Sequence, residues 1–358
     1  MDTPPKRPIS QAVGSRVQRV ATLYHPKTWR EKGWLWATGL LSGTYLIIIA
    51  VLILWWSAEP DIFDVRQNAL DKAGGDVNKV VIGYTTTATL IHVAETLLDK
   101  TGGYLSNDIA PPGRFMDNMP NWEFGVLVQV RDLARVLRND YARSQSQSTE
   151  DPDVQEAEPK FNTTNNSWIF PASESEYRKG IDYLTSYLNR LYLNDARDSQ
   201  FYARADNLRD WLAIVEKRLG SMSQRLSASV GQTRVNTDLA GESGAAQSTT
   251  APTEVIVKTR WLEIDDVFYE ARGMTWALIH FLRAAEIDFA DTLNKKNALP
   301  SLRQIIRELE TTQSTVWSPM VLNGGGFSIV TNYSLVMANY ISRANAAVID
   351  LRNLLSQG

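Results

Sequence analysis

The chain contains no cysteine in 358 residues, so disulfides, thiolate nucleophiles and cysteine metal sites are excluded. That absence suits an oxidising compartment such as a periplasm without demonstrating one. Histidine is nearly missing as well, with three in all. His92 and Glu95 are three apart and His280 stands six before Glu286. Such pairs offer two ligands where zinc needs three or four, and the second carboxylate half of a di-iron pattern is lacking. No metal and no other cofactor is expected. There is no nucleophile elbow, phosphate loop, dinucleotide fingerprint or paired-histidine zinc motif. Strand-like runs are confined to 80–82, 255–257 and 327–330. The fold class predicted is all-α.

What is present in abundance is one apolar run, residues 34–57, twenty-four positions without a charge and with tryptophan near both ends. As a helix it would rise about 36 Å at about 1.5 Å per residue, enough for a hydrocarbon core of roughly 30 Å. Trp34, Trp36, Trp55 and Trp56 would stand at the interfaces, where amphipathic rings are favoured. Signal-peptide cores are shorter, about 7–15 residues, and end in a small-x-small site; this run ends Trp55-Trp56-Ser57-Ala58-Glu59-Pro60. A soluble core helix would show a polar face, and nothing here is more polar than Ser42, Thr44 and Tyr45. An uncleaved transmembrane helix is the expectation.

Before the run stand seven Lys and Arg against Asp2 and Glu31, a balance of +5, and the chain total of −3 leaves −8 for the remainder. By the positive-inside rule the N-terminus stays in the cytoplasm and the large remainder is exported. An acidic exported part is not expected to bind nucleic acid. Residues 1–33, with Pro4, Pro5 and Pro8, make a short cytoplasmic tail, predicted disordered, whose basic residues could also grip anionic lipid. It is too small for a signalling module.

Beyond the run, apolar residues recur at helical spacing. This predicts helices over about 80–100, from Asn121 to Tyr141, from a Ser173 or Ser175 cap to Leu191, from near Gln200 to Leu226, over 264–289, 301–313 and 334–356. Gly273 inside one of them marks close helix packing. Residues 144–166 read as an exposed polar loop, and 323–327 as a flexible turn. Residues 230–256, rich in Gly, Ser, Thr and Ala, read as a linker. The expected organisation is a tail (1–33), a transmembrane helix (34–57), a helical region (58–229), a linker or loop (230–256) and a second helical region (257–358) packing on the first.

Two places have the residue types of a site. Asp117, Asn118, Asn121, Trp122 and Glu123 combine polar groups, an aromatic and prolines, as a ligand cleft does, or as a rigid helix entry capped by Asn121 does. Glu263, Asp265, Asp266 and Glu270 open a helix, where close carboxylates can serve acid–base chemistry or simply meet the positive helix end; the helix-end explanation is preferred. Asp117, Asn121, Trp122, Glu123, Asp265 and Asp266 are the candidate ligand-binding residues. Tyr84-Thr85-Thr86-Thr87 reads as a helix start.

The stretches GYTTTATL (83–90), DNMPNWEFG (117–125), SQSQSTE (144–150), PASESEY (171–177), WLEIDDVFYEARG (261–273) and SRANAAVI (342–349) resemble a proteobacterial family of uncharacterised inner-membrane proteins, catalogued as a domain of unknown function. The resemblance implies a Gram-negative, single-pass membrane protein. It transfers no activity and no catalytic residue. The reading favoured is a binding or scaffolding protein whose partners are the lipid bilayer and an envelope protein. The alternatives are an envelope hydrolase using Glu123, Glu263, Asp265 or Asp266, and a periplasmic ligand sensor acting through a partner.

Overall fold

Helical periodicity recurs between loops from about residue 80 onward, and the computed structural model converts it into a stack of α-helices. The structure describes residues 22–143, 149–193, 199–235, 254–318, 320–326 and 329–357. Two units separate, Met1–Trp55 and Trp56–Gly358. The first holds α1 (Pro26–Lys32) and nearly all of α2 (Trp34–Trp56), joined at Gly33, which adopts φ +85. Only Ala37 and Ile49 of α2 are buried. This is the one helix among the described residues long and apolar enough to cross a membrane, a test that a signal sequence also passes.

The second unit contains α3 (Val65–Lys72), α4 (Tyr84–Asp99), α5 (Asn118–Val136), α6 (Pro152–Phe161), α7 (Ser173–Leu191), α8 (Ala205–Ser227), α9 (Ile264–Asp288), α10 (Ala290–Lys295), α11 (Leu299–Thr311) and α12 (Tyr333–Ser356). Among the described residues the strands form one antiparallel ribbon, β1 (Gln232–Val235) with β2 (Glu254–Val257), which pairs Gln232 with Val257. The fold is all-α. At its centre lies α9, in which every residue from 270 to 282 is buried; a helix apolar on all sides must be wrapped by others. It crosses α5 where neither has a side chain. A Cβ on Gly273 would sit 1.9 Å from the Trp122 carbonyl oxygen, and one on Gly125 2.1 Å from that of Glu270. Gly273 thus marks a close crossing, as its place in the sequence suggested.

The contacts fix the helix directions. Asn121 meets Asp266 at one end of the α5–α9 pair and Tyr141 meets Phe289 at the other, so these two helices run parallel. Thr86, at the start of α4, bonds Asp288, and Arg225, at the end of α8, bonds Glu270; α4 and α8 run the opposite way. The segment after α2 lies along α9 in the same direction. Arg272 grips Glu59 (Nη2 to Oε2, 2.6 Å) and the carbonyls of Thr312 and Ser314 (both 2.9 Å). Trp276 Nε1 donates to Asp61 O and Phe63 N donates to His280 Nε2 at 3.0 Å. The stack has a near end, which holds Ser57, Glu59 and the start of α9, and a far end, which holds Asp288.

Several expectations need correction. The helix predicted from Asn121 begins at Asn118, with Asp117 as cap. Pro120 falls in its first turn, where no N–H is needed. Within the polar stretch 144–166 lies α6. Asp151 caps it, accepting from Asp153 N (3.0 Å) and Val154 N (3.3 Å), and Pro152 opens it. Residues 144–148 lie outside the described residues. Neither Ser173 nor Ser175 caps α7: Ala172 holds that position, and the Ser173 hydroxyl donates instead to Thr164 O. The helix placed near Gln200 starts at Ala205, because Phe201 is drawn against Tyr141 and Phe289. Of the strand-like runs, 80–82 is a turn leading into α4. The linker's middle, 236–253, is outside the described residues, while its ends form the ribbon. Helices on both sides of it share one core.

Candidate functional site

Four of the six candidate residues come together at the near end. Asp117 caps α5, accepting from Asn118 N at 2.9 Å. One turn on, Asn121 Nδ2 donates to Asp117 O (3.0 Å) and to Asp266 Oδ1 (2.8 Å). Asp265 and Asp266 occupy the first turn of α9. Burial, followed by the charges of Asp117, Asp265, Glu263 and Glu270, pushes the Asp266 carboxyl up to about 6. Burial raises Asp265 too, opposed in part by backbone N–H groups at the helix start. This corner therefore sets a carboxyl raised to about 6 close to other carboxyl groups, an arrangement that acid–base chemistry uses.

Trp122 and Glu123 belong elsewhere. Trp122 is fully buried against Trp276, ring centres 5.2 Å apart. Glu123 is fully buried and receives Lys100 Nζ, Leu105 N (2.8 Å), Ser106 N (2.8 Å) and Ser106 Oγ (2.5 Å). Four donors occupy the carboxylate, so its work is to fasten the loop between α4 and α5. His280 is buried and its imidazole is pushed down to about 3 by that burial. It stays neutral, accepting from Phe63 N while the other ring nitrogen faces Trp276 O at 2.7 Å. Among the described residues no group of three or more His, Asp or Glu could hold a metal.

A second site was not anticipated. A cleft of about 470 Å³ opens between α5, α8 and α9, floored by Val128, Met222 and Met274. Two bidentate pairs brace it: Arg218 on Asp132 (2.6 and 2.9 Å) and Arg225 on Glu270 (2.5 and 2.6 Å). Arg135 and Lys217 also line it and have no ion-pair partner among the described residues. Four cations against two carboxylates make a positive cleft in an acidic chain. Its sequence signal was the α8 stripe Lys217, Arg218, Ser221 and Arg225, which reads equally as a solvated helix face.

The family model described as "Uncharacterized protein conserved in bacteria (DUF2333)" matches residues 29–358, and the chain belongs to that family. No curated protein and no solved structure matches it.

Proposed function

We propose that this member of the bacterial family is a single-span anchor of the inner membrane, its N-terminus cytoplasmic, whose exported helical unit is a binding module that holds an acidic segment of an envelope protein in the α5–α8–α9 cleft. One observation carries the reading. Arg218 and Arg225 are locked in position by carboxylates, beside two further cations that have no ion-pair partner among the described residues, over an apolar floor. A bidentate pair uses two of the five donors of a guanidinium, so each arginine keeps donors for a ligand, pre-organised at little further cost in side-chain entropy. The test is photo-crosslinking in growing cells from a probe at Ser221, in the natural background and with Arg135→Glu and Lys217→Glu. A discrete envelope product that disappears on charge reversal, with the melting temperature unchanged, is expected. A product indifferent to the reversal, or no discrete product, overturns the reading.

The acidic corner favours a second reading, an envelope hydrolase with Asp266 as proton donor and Asp117 or Asp265 as the second carboxyl. It requires the detergent-solubilised chain to release soluble fragments from peptidoglycan and Asp266→Asn to abolish that release.

A further inference from the structure

The near end exposes aromatic side chains that the helical core leaves unused. Phe115 is 65 % exposed, Phe170 95 %, Trp261 78 % and Trp317 90 %. They come from four separate loops, and contacts on each loop place it at the near end. Phe115 lies two residues before Asp117, whose charge acts on Asp266. Trp261 lies three residues before α9 begins. Trp317 follows Val316, which lines one cavity with Ser57, Glu59 and Arg272. The loop of Phe170 is held by Asn107 Nδ2 donating to Ser167 O at 2.8 Å, and Asn107 stands in the loop after α4, whose Gly102 abuts the ring of Trp56. At the far end the exposed large apolar residues among those described are Val77, Ile82 and Leu193, with no aromatic.

Chain connectivity brings the near end close to where α2 ends. Ser57 is two residues before Glu59, a reach of at most about 7 Å. The first residue of α9 lies eight residues before Arg272, about 12 Å along the helix, on the side from which the chain arrives. Among the described residues none covers these rings. Exposed apolar clusters of this kind mark a contact surface, and Trp is the residue most at home at the level of lipid headgroups.

We infer that the near end is a second membrane contact: Phe115, Phe170, Trp261 and Trp317 form an aromatic collar that seats the helical unit in the interface of the leaflet where its own span ends. The inference rests on α2 being an uncleaved span. The occupant is the bilayer's apolar–headgroup boundary and not anionic lipid charge, because Asp117, Glu263, Asp265 and Asp266 share this end and would be repelled by it. Seating is therefore expected in purely zwitterionic lipid and to persist in high salt.

The absence of cysteine lets one introduced cysteine carry one label. Nitroxide depth would be measured in the full chain in phosphatidylcholine nanodiscs, with labels at Leu262 and Met320 beside the collar, at Val77 and Leu193 at the far end, and at Ile48 in α2. Collar labels are expected roughly 5–10 Å into the headgroup boundary, with far-end labels in water. That depth should be lost at Leu262 when Phe115, Phe170, Trp261 and Trp317 are all changed to serine, while Ile48 stays immersed. Immersed Ile48 with wet collar labels overturns the collar and leaves the anchor standing, which would assign these rings to a protein partner. A wet Ile48 overturns the anchor and the collar with it.

Discussion

The two ends of the helical unit do the same mechanical job in different ways. At the far end polar groups are consumed in pairs. Asp288 takes both the N–H and the hydroxyl of Thr86 at 2.6 Å, and Arg190 gathers Asp151 and Asp153. At the near end the fastening is internal, through Arg272 with Glu59 and Lys100 with Glu123, and aromatic rings are left outside. Both ends are made of interhelical loops, so loop building alone does not account for rings at one of them. No described residue covers those rings, and among the described residues the far end exposes no aromatic; exposed apolar side chains gathered at one end mark a contact surface.

The largest effect that can break this comparison is at Arg272. Its guanidinium carries Glu59 and two loop carbonyls at once. Arg272→Ala leaves a largely buried carboxylate unpaired, which costs about 3–5 kcal/mol, and releases both the segment after α2 and the loop leading to Trp317. A thermal melt together with protease sensitivity at 57–63 would record it; a melt shifted without new cleavage there would mean that Arg272 does not hold the near end. Gly273→Ala follows. A Cβ would have to displace the Trp122 backbone, an overpacking of about 1–3 kcal/mol, and because α5 and α9 span both ends, hydrogen exchange should rise at both. Charge reversal at Arg135 and Lys217 comes third, within about 0.5 kcal/mol for exposed positions, and should change partner capture and not the melt.

These effects were unequally legible in the sequence. Periodicity located most helices, and Gly273 announced the crossing of α5 and α9. Terminal residues were harder: Pro120 and Pro152 stand in the first turns of α5 and α6, where a proline costs the helix nothing. The acidic corner was legible in part, because Asp265 and Asp266 are adjacent in the chain, while their meeting with Asp117 and Asn121 depends on two helices running parallel. Glu123 had the composition of a site residue and turned out to be fully occupied by donors from a loop 17 and 18 residues earlier. The cleft was not legible beyond a basic stripe on α8, since the partners that hold its arginines, Asp132 for Arg218 and Glu270 for Arg225, lie 86 and 45 residues away.

The finest comparison sets one carboxyl from each end side by side. Asp266 and Asp288 are both pushed up to about 6 from an ordinary 3.8, but for different reasons. Burial leads in both; at Asp266 four neighbouring carboxylates add to it, while at Asp288 the hydrogen bonds from Thr86 oppose it. A raised carboxyl means that the folded chain binds the proton more tightly than the unfolded one. The contribution to stability is therefore complete below about pH 4 and is lost as the pH climbs through about 6, and Asp288→Asn should flatten that decline. Salt separates the two causes, because repulsion between partly exposed charges is screened and burial is not. In a carboxyl-carbon NMR titration of aspartate-labelled protein, added salt, or Asp117→Asn, should move Asp266 towards its ordinary range and leave Asp288 where it is. Equal movement of both would mean that the near-end carboxyls do not act on one another, and the acidic corner would then be four separate side chains.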